Sequence, residues 1–292
     1  MIDFVSIVLL CASIFLATGR NLLTKNISEE KFGTKRFFAF QTLLFFSGAV
    51  LLLCFNIGTD LSVSILTVCY SMLYGALLIS AQWNYTRALK NGKTGICSTV
   101  YSLGFVLPTV FGPIAYPEKE FFSFCDGLGV LIVIPVMLLA GMKKNENDKT
   151  KSGYFLPLII AMISSGGLGI MQKVQQNSPY ANEKICFMLL SFAFATVCSL
   201  VCFCFAKEKK YGKFNKKSAS VIGIGFAFAS CNLLNTSLAG RLPSTVVFPI
   251  LNVGTILFSL ILGVLCFKEE LTKKDGLIFS LGTIAILLIA IW

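Results

Sequence analysis

The side chains in this sequence best able to hold a ligand lie inside long apolar runs, where few polar groups are expected. The stretch SAQWNY supplies Gln82, Trp83, Asn84 and Tyr85, and ASCNLLN supplies Asn232 and Asn235. Asn252 and Thr255 stand in a third run, Ser98, Thr99, Tyr101 and Ser102 in a fourth, and Gln41 with Thr42 in a fifth. A spacing of three puts Asn232 with Asn235, and Asn252 with Thr255, on one face of a helix. Amides, hydroxyls and aromatic rings bring hydrogen bonds and stacking, not covalent chemistry. One such group alone commonly makes an interhelical hydrogen bond worth about 1 kcal/mol. Together, Gln41, Gln82, Trp83, Asn84, Thr99, Tyr101, Asn232, Asn235 and Asn252 are the candidate lining of a cavity. With no fixed charge among them, they suit a neutral, zwitterionic or amphipathic small molecule.

What is missing narrows the chemistry further. The chain has no histidine, and none of its 14 acids falls in the middle of an apolar run. A histidine switch, histidine catalysis and a central proton-carrying carboxylate are therefore not expected. The 11 cysteines contain no CxxC spacing and mostly sit within apolar runs, where they pack as small apolar residues. No metal and no cofactor is expected. An intramembrane enzyme, which needs a catalytic pair, is the remote reading. Polyanions call for an inward Arg or Lys cluster. The cations nearest the apolar runs, Lys25, Arg87 and Lys173, are expected to snorkel to the interface.

The elements that must position these groups follow from composition. Of 292 residues, 55% are hydrophobic and 13% charged, so the solvent of this chain is lipid. Ten runs have the length of a helical span: 4–24, 37–56, 63–86, 95–116, 124–142, 154–174, 184–206, 218–239, 243–267 and 275–292. The first is preceded only by MID and lacks a basic leader, so it is read as a retained span. The longest polar connection is Lys143–Gly153.

The chain also repeats itself. At an offset of 149, Leu89 pairs with Leu238, Lys119 with Lys268, Glu120 with Glu269, and Asp126-Gly127-Leu128 with Asp275-Gly276-Leu277. One residue less pairs Gly19 with Gly167 and Lys25 with Lys173. The expected fold is an all-α integral membrane protein of ten transmembrane helices in two five-helix repeats, 1–148 and 149–292. Five is odd, so the repeats run in opposite senses, an arrangement that recurs in transporters with the substrate held between the halves. The repeated decapeptides KEFFSFCDGL and KEELTKKDGL contain Ser123-x-x-Asp126 and Thr272-x-x-Asp275, which match the box that starts a helix. Pro108 and Pro249 are expected to kink the fourth and ninth spans and to help the halves rock.

These features resemble the drug/metabolite transporter superfamily, in particular its EamA-type branch. There the fourth span of each half ends in a pattern like E-x-L-[ST], followed by a glycine-rich span. Glu269, Leu271 and Thr272 fit it in the second half; Glu120, Phe122 and Ser123 take the same places in the first. Gly129 falls on a family glycine, whereas the second half has Ile278 there. The resemblance implies a central cavity walled by the first four spans of each half, with spans 5 and 10 at its edge. It implies a carrier of small organic solutes working by alternating access, without covalent chemistry. The alternative is a proton-coupled or exchange carrier for sugars, nucleosides or nucleotide-sugars.

Of the 25 Lys and Arg, only Lys119, Lys173, Lys184 and Arg241 lie on the side of the even-numbered connections. Retention of basic residues in the cytoplasm then puts both termini outside it, in a plasma (inner) membrane. The same rule explains the net charge of +11 without a nucleic acid. The expected partners are a small-molecule substrate and the bilayer, with the chain as monomer or homodimer.

Overall fold

The computed structural model describes residues 3–28, 33–57, 63–92, 94–118, 123–141, 153–206, 216–267 and 273–290. Its helices are α1 (Phe4–Ile27), α2 (Lys35–Asn56), α3 (Ile65–Asn91), α4 (Thr94–Ser102), α5 (Val106–Ala115), α6 (Phe124–Gly141), α7 (Phe155–Gln176), α8 (Lys184–Phe205), α9 (Lys216–Ala239), α10 (Ser244–Phe267) and α11 (Lys273–Ala290). No strand occurs among the described residues. Polar caps set some of the boundaries: the Thr34 and Ser64 hydroxyls accept the N–H of Phe37 and Thr67. Ser64 is itself held from across the fold, donating its N–H and hydroxyl to Glu183 at 3.1 Å.

Seven helical stretches among the described residues are long and apolar enough to cross a membrane. The distribution of side chains agrees with that solvent. Phe4, Ile65 and Phe205 are about four-fifths exposed, while Arg20, Asn21, Gln41, Gln82 and Gln172 are buried. Apolar outside and polar inside is the reverse of a protein built for water.

Helices α1 and α9 pack against each other, as do α3 and α7; α2 lies on α8 and α9, and α3 also on α8. The centre of the α2–α8–α9 junction is aromatic: the ring of Phe192 lies 6.2 Å from Phe45 and 5.7 Å from Phe228. There α9 approaches α2 so closely that a methyl on Gly225 would strike the Leu44 carbonyl and the Ser47 hydroxyl. Helices α6 and α11 pair with each other. Both begin within the repeated decapeptides, α6 directly after Ser123, whose carbonyl accepts the Gly127 N–H. Thr272, the side chains of Asp126 and Asp275, Glu120 and Glu269, and the boundary at 148/149 lie outside the described residues.

The fourth expected span is divided. Residues Leu103–Phe105 form a 3-10 turn between α4 and α5. The cause is local: Pro108 has no N–H to give the Gly104 carbonyl four residues back. The turn is seated on α7, since a methyl on Gly104 would meet the Met162 carbonyl and one on Gly166 the Gly104 carbonyl. Pro249 has no such effect, because α10 runs as one helix from Ser244 to Phe267. The two prolines thus stand in different settings: Pro108 follows a 3-10 turn that divides its span, whereas Pro249 lies within the first two turns of a continuous helix.

Candidate functional site

A cavity opens between α1, α4, α5, α7, α9 and α10. Three helices line it with the same spacing, i, i+3, i+4 and i+7. These are Ser165, Leu168, Gly169 and Gln172 on α7, Phe228, Cys231, Asn232 and Asn235 on α9, and Phe248, Leu251, Asn252 and Thr255 on α10. Helix α1 adds Ser13, Ala17, Arg20 and Asn21, and the divided span adds Tyr101, Ser102, Phe105 and Pro108. The centres of water-sized molecules have about 90 Å³ in which to move. One water needs about 10–15 Å³ by this measure, so the space suits one small organic solute.

Arg20 dominates the electrostatics. It is 6% exposed, on the buried face of α1 that also carries Ser13, Asn21 and Thr24. Its guanidinium carbon lies 4.6 Å from the ring centroid of Phe228, 5.5 Å from Tyr101 and 6.0 Å from Tyr85. Nη2 donates to the Asn21 Oδ1 at 3.0 Å, and the buried Nε–H has no hydrogen-bond partner. No carboxylate pairs with it among the described residues. Cation–π contacts return about 2 kcal/mol when desolvated, against several kcal/mol for removing the ion from water. The charge is therefore only partly compensated by protein.

The amides around it are held in place. Asn21 donates to the Ser98 hydroxyl at 3.2 Å. Gln172 Nε2 donates to the Tyr74 oxygen at 2.8 Å, and the Tyr74 hydroxyl donates to Asn232 Oδ1 at 2.7 Å. Ser13 donates to Asn235, and Asn252 donates back to the Phe248 carbonyl. This network joins α3, α7 and α9 behind the cavity and fixes which way the Asn232 amide points.

Of the residues expected to line a cavity, Tyr101, Asn232, Asn235 and Asn252 do so, and Pro108 joins them. Gln41 and Thr99 are buried in α2 and α4, away from the lining. Gln82 faces Thr86 within α3, and Asn84 donates to the Ser80 carbonyl. Trp83 packs edge-on against Phe37 and Phe38. Pro249 is buried in α10, off the cavity wall. Equivalence at the 149 offset gave α3 the role of α9, but α3 stands behind α7 and contributes no wall.

Arg20 is absent from the expected lining, because a cation close to the end of an apolar run reads as part of the polar connection that follows. It lies inside α1, and the premise of a lining without fixed charge is corrected with it. The signal was present: Arg20 falls within the apolar run 4–24. Lys25 and Lys173 also differ from expectation. Lys25 Nζ donates to the carbonyls of Leu89 and Gly92 at the end of α3, at 2.9 and 2.8 Å. Lys173 Nζ donates to those of Ala239 and Leu242 at the end of α9, at 3.2 and 3.3 Å. Both turn inward to cap a neighbouring helix. Arg87 is exposed, as a snorkelling residue would be.

No family model matches the sequence, and no curated protein is significantly similar to it. Among solved structures, a crystal structure described only as that of a protein is similar over 98% of this chain and 97% of its own, with a TM-score of 0.65 at 14% identity. At that identity the likeness is one of fold.

Proposed function

We propose that this chain is a carrier of small organic solutes, with ten spans in two inverted five-helix halves that alternate access to the central cavity. The observation that carries this reading is the pairing of lining positions between the halves. In the register that pairs Lys25 with Lys173, Ala17 matches Ser165, Arg20 matches Leu168 and Asn21 matches Gly169, and all six line the cavity. Packing repeats in the same way, α3 on α7 and α8 answering α9 on α1 and α2. The two lysine caps obey the same relation. A cavity shared between inverted halves is the setting of substrate sites in alternating-access carriers. Membership of the EamA-type branch of the drug/metabolite transporter superfamily, a plasma (inner) membrane location and extracytoplasmic termini belong to this proposal. Moving Arg20 into the membrane leaves 20 basic residues against 4, so the orientation argument stands.

The test is uptake by proteoliposomes against amino acids, organic anions, nucleosides, sugars and quaternary amines, with and without a pH gradient. Saturable, protein-dependent uptake is expected for one class. Absence of uptake of any class by folded, correctly inserted protein would refute the proposal. A reporter placed in the 207–217 connection and reached only from outside would overturn the orientation.

A further inference from the structure

We infer that the cavity is a receptor for an amphipathic monoanion, a small carboxylate or sulfonate with an apolar body, and that Arg20 receives its charged end. The inference rests on reading the cavity as the carrier's substrate site and names the class of solute it takes. A buried guanidinium with an unpartnered Nε–H, beside a cavity and without a carboxylate partner among the described residues, is completed by an anionic oxygen. Phe228, Tyr101 and Tyr85 hold the guanidinium in one place, so little ordering is left for the ligand to impose.

The rest of the wall limits the solute to one negative charge. Among the described residues the other buried cation, Lys173, and the half-buried Lys25 face helix-end carbonyls and do not line the cavity. A second anionic group would meet no further cation on the wall, only amides, hydroxyls, the Cys231 thiol and apolar or aromatic groups. A free ammonium finds no acid among the lining residues and is repelled by Arg20. The far end of the solute is specified by the broken symmetry. The α7 position that matches Arg20 is Leu168, and Leu251, Phe105 and Phe248 extend this apolar wall. A solute with one charged end and one apolar end satisfies both.

The full chain, purified in detergent, is titrated with benzenesulfonate, benzoate, benzenesulfonamide, benzylamine and phenylalanine by calorimetry and thermal shift. The two anions are expected to bind and to raise Tm. The neutral sulfonamide, the amine and the zwitterion are expected to bind at least about tenfold more weakly. R20Q is expected to lose at least about tenfold in benzenesulfonate affinity while its unliganded Tm stays equal or rises, because an uncompensated buried charge is removed. R20K is expected to fall between the two, keeping the charge but losing the planar fork. Equal binding of benzenesulfonamide and benzenesulfonate overturns the inference, as does failure of both anions to bind, or unchanged affinity in R20Q. The comparison within the unaltered protein needs no variant to fold. Proteoliposome uptake of benzenesulfonate separates the two claims. Arg20-dependent binding without flux removes the carrier and leaves the receptor. Flux of a neutral solute unchanged in R20Q, with no anion binding, removes the receptor and leaves the carrier.

Discussion

Lys25 and Lys173 occupy matching places on α1 and α7, and each closes the C-terminal end of a different helix, α3 and α9 respectively. A cation at a helix C-terminus meets unpaired carbonyls and the negative end of the dipole. Lys173 is only 6% exposed, so its carbonyl partners have no water to turn to if it is removed. K173A is expected to lower stability by about 2 kcal/mol and K25A by about 1 kcal/mol. Thermal unfolding of the two variants in the same detergent checks the order; K25A the more damaging would contradict it.

Tyr74 is the hinge of the buried network, receiving from Gln172 and donating to Asn232. Y74F keeps the ring against Phe187 but strips Asn232 Oδ1 of its short partner. The expected cost is about 1–2 kcal/mol, with a change in solute affinity from the loosened Asn232 amide. Unfolding and titration with one solute measure the two effects separately.

Two glycine positions on helices of matching rank behave oppositely. At Gly166 a methyl would strike the Gly104 carbonyl as well as the Leu107 side chain, and the carbonyl can yield only if the backbone moves. At Gly19 a methyl meets nothing within 4 Å. G166A is therefore expected to destabilise by about 1–3 kcal/mol, through separation of α7 from the 3-10 turn. G19A gains helix propensity and is expected to be neutral or up to about 1 kcal/mol more stable. Melting temperatures decide it.

Pro108 and Pro249 separate in the same manner. P108A supplies the N–H that the Gly104 carbonyl lacks and allows one continuous helix through 103–105. It is expected to change uptake turnover several-fold, whereas P249A leaves it near that of the unaltered protein. Equal effects would show that the divided span has no part in the transport cycle.

The helices were legible because a bilayer imposes a length and a composition, and apart from the break at 103–105 each observed helix begins and ends within about five residues of the ends of an apolar run. The division of the fourth was not, since Pro108 alone does not tell whether the carbonyl before it is lost in a bend, a 3-10 turn or a continuous helix; Pro249 shows the last. The cavity was half legible. Spacing put Asn232 with Asn235 on one face, but a face says nothing of what it looks toward. Gln82, Trp83 and Asn84 are as polar as their counterparts and stand on a helix one layer further out. Arg20 was hidden by its closeness to the end of a run, where a cation reads as part of the next loop.

The match of Arg20 with Leu168 has a thermodynamic consequence for a carrier built of inverted halves. If the halves exchanged shapes and were chemically identical, the site facing one side of the membrane would be the image of the site facing the other. With a guanidinium on one half and a leucine on the other, the two occupied states are wells of unequal depth. Half-saturation concentrations measured from the two sides are then unequal. For a carrier without coupling, detailed balance holds Vmax/KM equal in both directions, so the side that binds more tightly must also be the side with the lower maximal flux.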